Sequence, residues 1–151
     1  MIEGISAFAL FCEDVRKEAA GRTTIIGMMG DTIHVPDFPS VFPRVTCYFR
    51  VKFDVNGNYD KPLVMDLEAS ETNIVQEIKR AAPRDLIDRA IANARNRGLI
   101  YGSISGRVRM DEPLEFPKPT VIYAVLRYGD EKMICGVLNV ARPSTSQNAP
   151  E

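Results

Sequence analysis

Residues 21–44 read GRTTIIGMMGDTIHVPDFPSVFPR. Glycines at 21, 27 and 30 interrupt short β-branched runs, and prolines follow at 36, 39 and 43. A proline removes a backbone donor and fixes φ, so it stops a helix and is tolerated in sheets only at edges. The stretch therefore predicts tight turns and then an extended edge segment crossing a sheet.

Outward from it, residues 45–55 alternate strictly. Val45, Cys47, Phe49, Val51, Phe53 and Val55 share one face, and Thr46, Tyr48, Arg50, Lys52 and Asp54 share the other. A period of two over this length is the signature of a strand with one dry and one wet face. Asn56-Gly57-Asn58 reads as a hairpin turn, with residues 63–70 as the returning strand. Further strands are expected at 5–12, 23–29, 74–78, 103–110, 121–128 and 133–140, with a second hairpin at Tyr128-Gly-Asp-Glu-Lys. Residues 121–126 are apolar on both sides, which places them centrally between packed layers. Residues 143–151 have nothing to bury and are expected to be a disordered tail beyond a single domain at 1–142.

One segment leaves the β pattern. Residues 83–97, PRDLIDRAIANARNR, put Leu86, Ile87, Ala90, Ile91 and Ala94 on one helical face. Pro83 suits a first turn, Asp85 a helix N-terminus and Gly98 a stop. Asp85 and Arg89 are spaced to pair on the wet side. The helix is expected to cap a sheet edge or an open end. With the strands, this gives a mostly β fold, an antiparallel two-sheet β-sandwich with one amphipathic helix.

At 151 residues the chain suits one domain. Nineteen basic and twenty acidic side chains leave a net charge of −1, so no global field drives it onto nucleic acid or an anionic membrane. The opening residues, MIEGISAFALFCEDVRKE, hold an apolar run too short to span a bilayer, with no basic residue ahead of it, and read as a first strand. Cys12, Cys47 and Cys135 are odd in number and widely spaced, which points to reduced thiols in a cytoplasm.

The order of these pieces resembles an uncharacterised family of short bacterial and phage-associated proteins, a domain of unknown function. The resemblance rests on Phe11-Cys12-Glu13-Asp14-Val15-Arg16-Lys17-Glu18, on Gly21-Arg22-Thr23-Thr24-Ile25-Ile26-Gly27, and on the proline-punctuated run from Val35 to Arg44. It is specific over residues 7–55 and looser beyond, where the helical segment 83–97 departs from the pattern. It implies a compact β-sandwich and carries over no catalytic residue.

Chemistry-bearing motifs are few. Asp14, Asp31 and Asp37 sit near turns, where Asp bonds its own backbone, and lack the spacing of a cation loop. His34 is the single histidine, with no cysteine or second histidine beside it to make a zinc site. Gly102-Ser-Ile-Ser-Gly106-Arg107 lacks the Lys-Ser/Thr of a phosphate loop and leads into a strand. No cofactor or metal motif is present, and basic residues are not interleaved with aromatics as nucleic-acid binding asks.

Charge is distributed unevenly. Residues 54–77 hold six acids and one lysine, while residues 79–109 hold eight basic residues and two acids. The two runs can neutralise each other, pair between subunits, or leave an arginine patch suited to phosphate. The expectation is a non-enzymatic binding or interaction module, its site at Arg84, Arg89, Arg95, Arg107 and Arg109. Its partner is a protein or a small anionic ligand. The alternatives are a sequestering protein for a small anion such as a nucleotide, and a homo-oligomeric structural subunit of a phage or other assembly. An enzyme relying on His34 and a neighbouring carboxylate ranks last.

Overall fold

A computed structural model of the chain describes residues 1–42, 44–70, 78–110 and 113–144. The strands are β1 (Ile5–Lys17), β2 (Thr23–Met28), β3 (Thr32–His34), β4 (Ser40–Phe42), β5 (Val45–Asp54), β6 (Leu63–Ala69), β7 (Ile78–Ala81), β8 (Tyr101–Met110), β9 (Leu114–Phe116), β10 (Thr120–Tyr128) and β11 (Glu131–Ala141). One helix, α1 (Arg84–Asn96), lies between β7 and β8. Among the described residues the fold is mostly β with a single α-helix, in several sheets. Of the strand expected at 74–78, only Ile78 lies among the described residues, where it begins β7. Residues 145–151 of the expected tail fall outside them.

Four strands form a sheet in the order β2-β1-β5-β8 and five form a second in the order β3-β11-β10-β6-β7. The apolar face of β5 is buried as its alternation requires: Val45, Cys47, Phe49, Val51 and Phe53 are all inaccessible. β10 sits between β11 and β6, which explains a strand apolar on both sides: Ile122, Ala124, Val125 and Leu126 are all buried. The β10–β11 hairpin turns at Gly129, at φ +59°, as its sequence asks.

The expected hairpin at 56–58 does not form. β5 pairs with β1 and β8, whereas β6 pairs with β10 and β7, so residues 55–62 carry the chain from one sheet to the other. Tyr59 makes this crossover. Its buried ring packs edge-on against Phe53 and Tyr128, with centroids 5.1 and 6.3 Å away. Its hydroxyl lies 2.8 Å from Gly4 O and 3.0 Å from Asp54 O. Anchored this way, the segment turns away from β5 instead of reversing alongside it.

The proline-rich stretch also differs from a purely antiparallel pair of sheets. β3 joins β11 in parallel, matching Thr32 to Asn139 and His34 to Ala141. β4 pairs with β9 in a third, two-stranded sheet. Each of these strands is three residues long, because Pro36, Pro39, Pro113 and Pro117 end the ladders. β3 reaches β11 by crossing over from the first sheet, so no hairpin forces it antiparallel.

Helix α1 begins after Pro83, and its chain passes through Gly98 at φ +67°. It buries Ile87, Ile91 and Ala94, and packs on β8, the terminal strand of the first sheet. Gly102 permits this approach, since a Cβ there would stand 2.7 Å from Ala90 O. Leu86, read from sequence as a core position, is 37% exposed at the side of the interface. No described helix is long and apolar enough to cross a membrane.

A covered wet face and a cationic notch

The polar face of β5 is not uniformly wet. Arg50 and Lys52 are exposed, but Thr46 is fully buried. β1 explains this. It pairs with β5 from Ile5 to Cys12, then continues to Lys17 paired only to β2 among the described residues. Glu13 O accepts a hydrogen bond from Thr46 Oγ1 at 3.2 Å, and Asp14 Oδ1 accepts from Arg109 Nη2 at 2.9 Å. Val15 O accepts from Arg107 Nη1. Alternation points Thr46, Arg107 and Arg109 outward, so the β1–β2 arm lies folded across the outer face of its own sheet. Val15, on the underside of the arm, is buried.

Where this arm meets the outer face of β8, a cavity of about 290 Å³ opens. It is lined by Lys17 and Thr23 from the arm, Tyr48 from β5, Ser105 and Arg107 from β8, and Arg80 from β7. Arg80 pairs in register with inward-facing Met65, so it projects from the second sheet towards the first. It rounds the edge of β8 to donate from Nη1 to Arg107 O at 2.6 Å. Each arginine is thus held by a backbone carbonyl and retains further N–H donors. The lining contains three cations, three hydroxyls and no carboxylate. Among the described residues, no carboxylate pairs with Lys17, Arg80 or Arg107.

The five arginines expected to form one patch do not share one site: Arg84 and Arg95 border a recess together with Asp88, away from Arg107 in the notch. Arg84 pairs with Asp88 at 3.1 Å and Arg89 with Asp85 at 3.0 Å, both on the exposed side of α1; the second is the pair its spacing predicts. Arg95 donates from Nε to Val55 O at 2.8 Å, joining the end of α1 to the end of β5. Arg107 and Arg109 are two residues apart on β8, but only Arg107 lines the notch. Nor do the acidic and basic runs neutralise each other in the described ion pairs: Asp66 and Glu68 of β6 are met by Arg127 of β10. The missed members are Lys17, Thr23, Tyr48, Arg80 and Ser105. The outward series Ser103, Ser105, Arg107, Arg109 on β8 was the available sequence signal, but the folded arm was not legible.

His34 is exposed at the end of β3, opposite Ala141. Asp14 turns to its own chain, accepting from Val15 N at 2.9 Å, as well as to Arg109. Burial would raise the Asp14 pKa, but the Val15 N–H and the Arg109 and Arg16 guanidiniums outweigh it and hold the carboxyl below the ordinary range. Cys12 and Cys47 are buried and Cys135 half-buried, all three free thiols. Among the described residues, no group of three or more His, Cys, Asp or Glu side chains gathers to hold a metal. Residues 102–107 form extended strand rather than a phosphate loop, although Ser105 and Arg107 do line the notch.

Across residues 7–141 the chain matches a family of unknown function, DUF6941, a range that runs well past residue 55 and through α1. No curated protein and no solved structure matches the chain.

Proposed function

The chain belongs to the DUF6941 family, and from that premise we propose that it is a non-enzymatic binding module that holds an anionic group in the Lys17–Arg80–Arg107 notch. The observation that carries the reading is the composition of that cavity: three cations, three hydroxyls and no carboxylate within about 290 Å³. Guanidinium groups fixed by backbone carbonyls keep their orientation without a bound anion, which lowers the ordering cost of binding. This reading moves the site from five arginines to three cations and joins the interaction-module and anion-sequestering alternatives at one place. The test is titration with inorganic phosphate followed by calorimetry. Saturable binding that disappears in a folded Lys17→Ala/Arg80→Ala variant is expected. Absence of saturable binding to the native chain refutes the reading.

Two further elements belong to the proposal. The two larger sheets are read as the layers of one sandwich. Phe49 and Phe53 of one share a buried cluster with Leu63, Leu126 and Leu138 of the other, and a Cβ on Gly136 of β11 would stand 2.7 Å from Ala9 O of β1. The setting is read as a reducing cytoplasm, on the strength of three free thiols. A second functional reading, the assembly subunit, is favoured by Leu99, Ile100 and Tyr101, consecutive and exposed where β8 begins. Sedimentation equilibrium tests it: a monomer across the accessible concentration range removes it.

A further inference from the structure

Two recesses meet at Ser105 and Gly106 of β8. On the outer side is the cationic notch. On the inner side, at the seam where β7 approaches β8, lies a recess of about 50 Å³ walled by Phe49, Leu63, Met65, Leu86, Ile104 and Leu126. Arg80, Ser105 and Gly106 border both. Gly106 keeps the wall between them thin: a Cβ there would stand 2.6 Å from Phe49 Cζ, so the ring lies directly against the strand. The partial exposure of Leu86 leaves an apolar lip at the seam. Arg80 spans the junction, its aliphatic stem suited to the recess and its guanidinium to the notch.

Resting on the anion reading above, we infer that the ligand is a phosphate monoester carrying a short aliphatic group, with the phosphate in the notch and the aliphatic group in the seam recess. Three cations match a dianion better than a single carboxylate, and the Thr23, Tyr48 and Ser105 hydroxyls supply donors for its remaining oxygens. A recess of 50 Å³ has room for roughly three or four water-sized groups, the bulk of a short alkyl chain. An aromatic base does not fit it, so a nucleotide gains nothing there beyond its phosphate.

The experiment is calorimetric titration of the full chain with inorganic phosphate, with n-propyl phosphate and with adenosine monophosphate. n-Propyl phosphate is expected to bind about ten-fold or more tightly than inorganic phosphate, because buried methylene groups add to the phosphate contacts. A Leu86→Ser change, at a half-exposed helix position, should erase that preference while leaving inorganic phosphate binding intact. The inference fails, and the notch survives, if propyl and inorganic phosphate bind equally. Preference for adenosine monophosphate over propyl phosphate also overturns it. If none of the three binds, both readings fall together.

Discussion

Asp14 Oδ1 and Arg109 Nη2 lie 2.9 Å apart and join residues 95 positions distant in the chain. The contact fastens the β1–β2 arm to the outer face of its own sheet, next to the notch. Because the Asp14 pKa is depressed in the folded state, its stabilising contribution is full above the ordinary aspartate value, about 3.9. That contribution is lost as pH falls through the depressed folded value. Asp14→Asn should therefore lower the melting temperature at neutral pH, and the gap from the native chain should close as pH is lowered below about 4. Parallel melting curves at pH 7 and pH 3 check this; an equal gap at both assigns the residue no linkage.

Gly136 and Ala9 O mark a close approach between β11 and β1. A Cβ at position 136 would stand 2.7 Å from that carbonyl and 3.1 Å from Ala9 Cβ. Backbone on the far side cannot rotate away as a side chain does. Gly136→Ala should destabilise the fold by about 1–3 kcal/mol in urea unfolding, the range for overpacking. An unchanged midpoint would mean that the two strands separate freely.

Arg127 bridges two carboxylates of β6, meeting Asp66 Oδ2 at 2.5 Å and also Glu68. Asp66 is buried. Arg127→Ala leaves that carboxylate without its cation, and a loss of about 3 kcal/mol is expected, at the lower end for a broken buried pair because the arginine itself is half-exposed. Arg127→Ala/Asp66→Val should recover much of it. Chemical denaturation of the single and double variants measures both.

Tyr59→Phe removes the hydroxyl from Gly4 O and Asp54 O while keeping the ring against Phe53 and Tyr128. A loss of about 1–2 kcal/mol is expected in thermal or urea unfolding. A neutral substitution would show that ring packing alone sets the crossover.

Burial pushes the Cys135 thiol up to about 11 and raises Cys47 further still. Thiolate, the reactive form, is therefore scarce at these sites at neutral pH. Alkylation of the native protein at pH 8 should be slow at both, and fast for all three cysteines in denaturant. Rapid labelling of native Cys47 would contradict its placement.

How far the sequence reads depends on the range of the forces involved. The dry face of β5, the bounds of α1, the Asp85–Arg89 pair and the Gly129 hairpin all follow from spacing or one local conformational demand, and each is in place. The β5-to-β6 connection misled because Asn-Gly-Asn has turn chemistry, while its path is set by Tyr59 reaching Gly4, 55 residues away. Likewise, alternation predicts Thr46 to be wet, and only the return of β1 over that face buries it. Arg107 was legible as basic. Its companions Lys17 and Arg80 come from distant strands and carry no shared motif.

The parallel ladder between β3 and β11 has a temporal side. Asn139 donates to Asp31 O at 2.9 Å, a contact spanning 108 positions. Local hairpins such as β1–β2 can close while the polypeptide is still being translated, but among the described residues β3 pairs with β11 alone and waits for it to emerge from the ribosome. Its short, proline-bounded edge is then the nascent chain's protection, since an idle strand of only three residues offers neighbours on a polysome little to pair with.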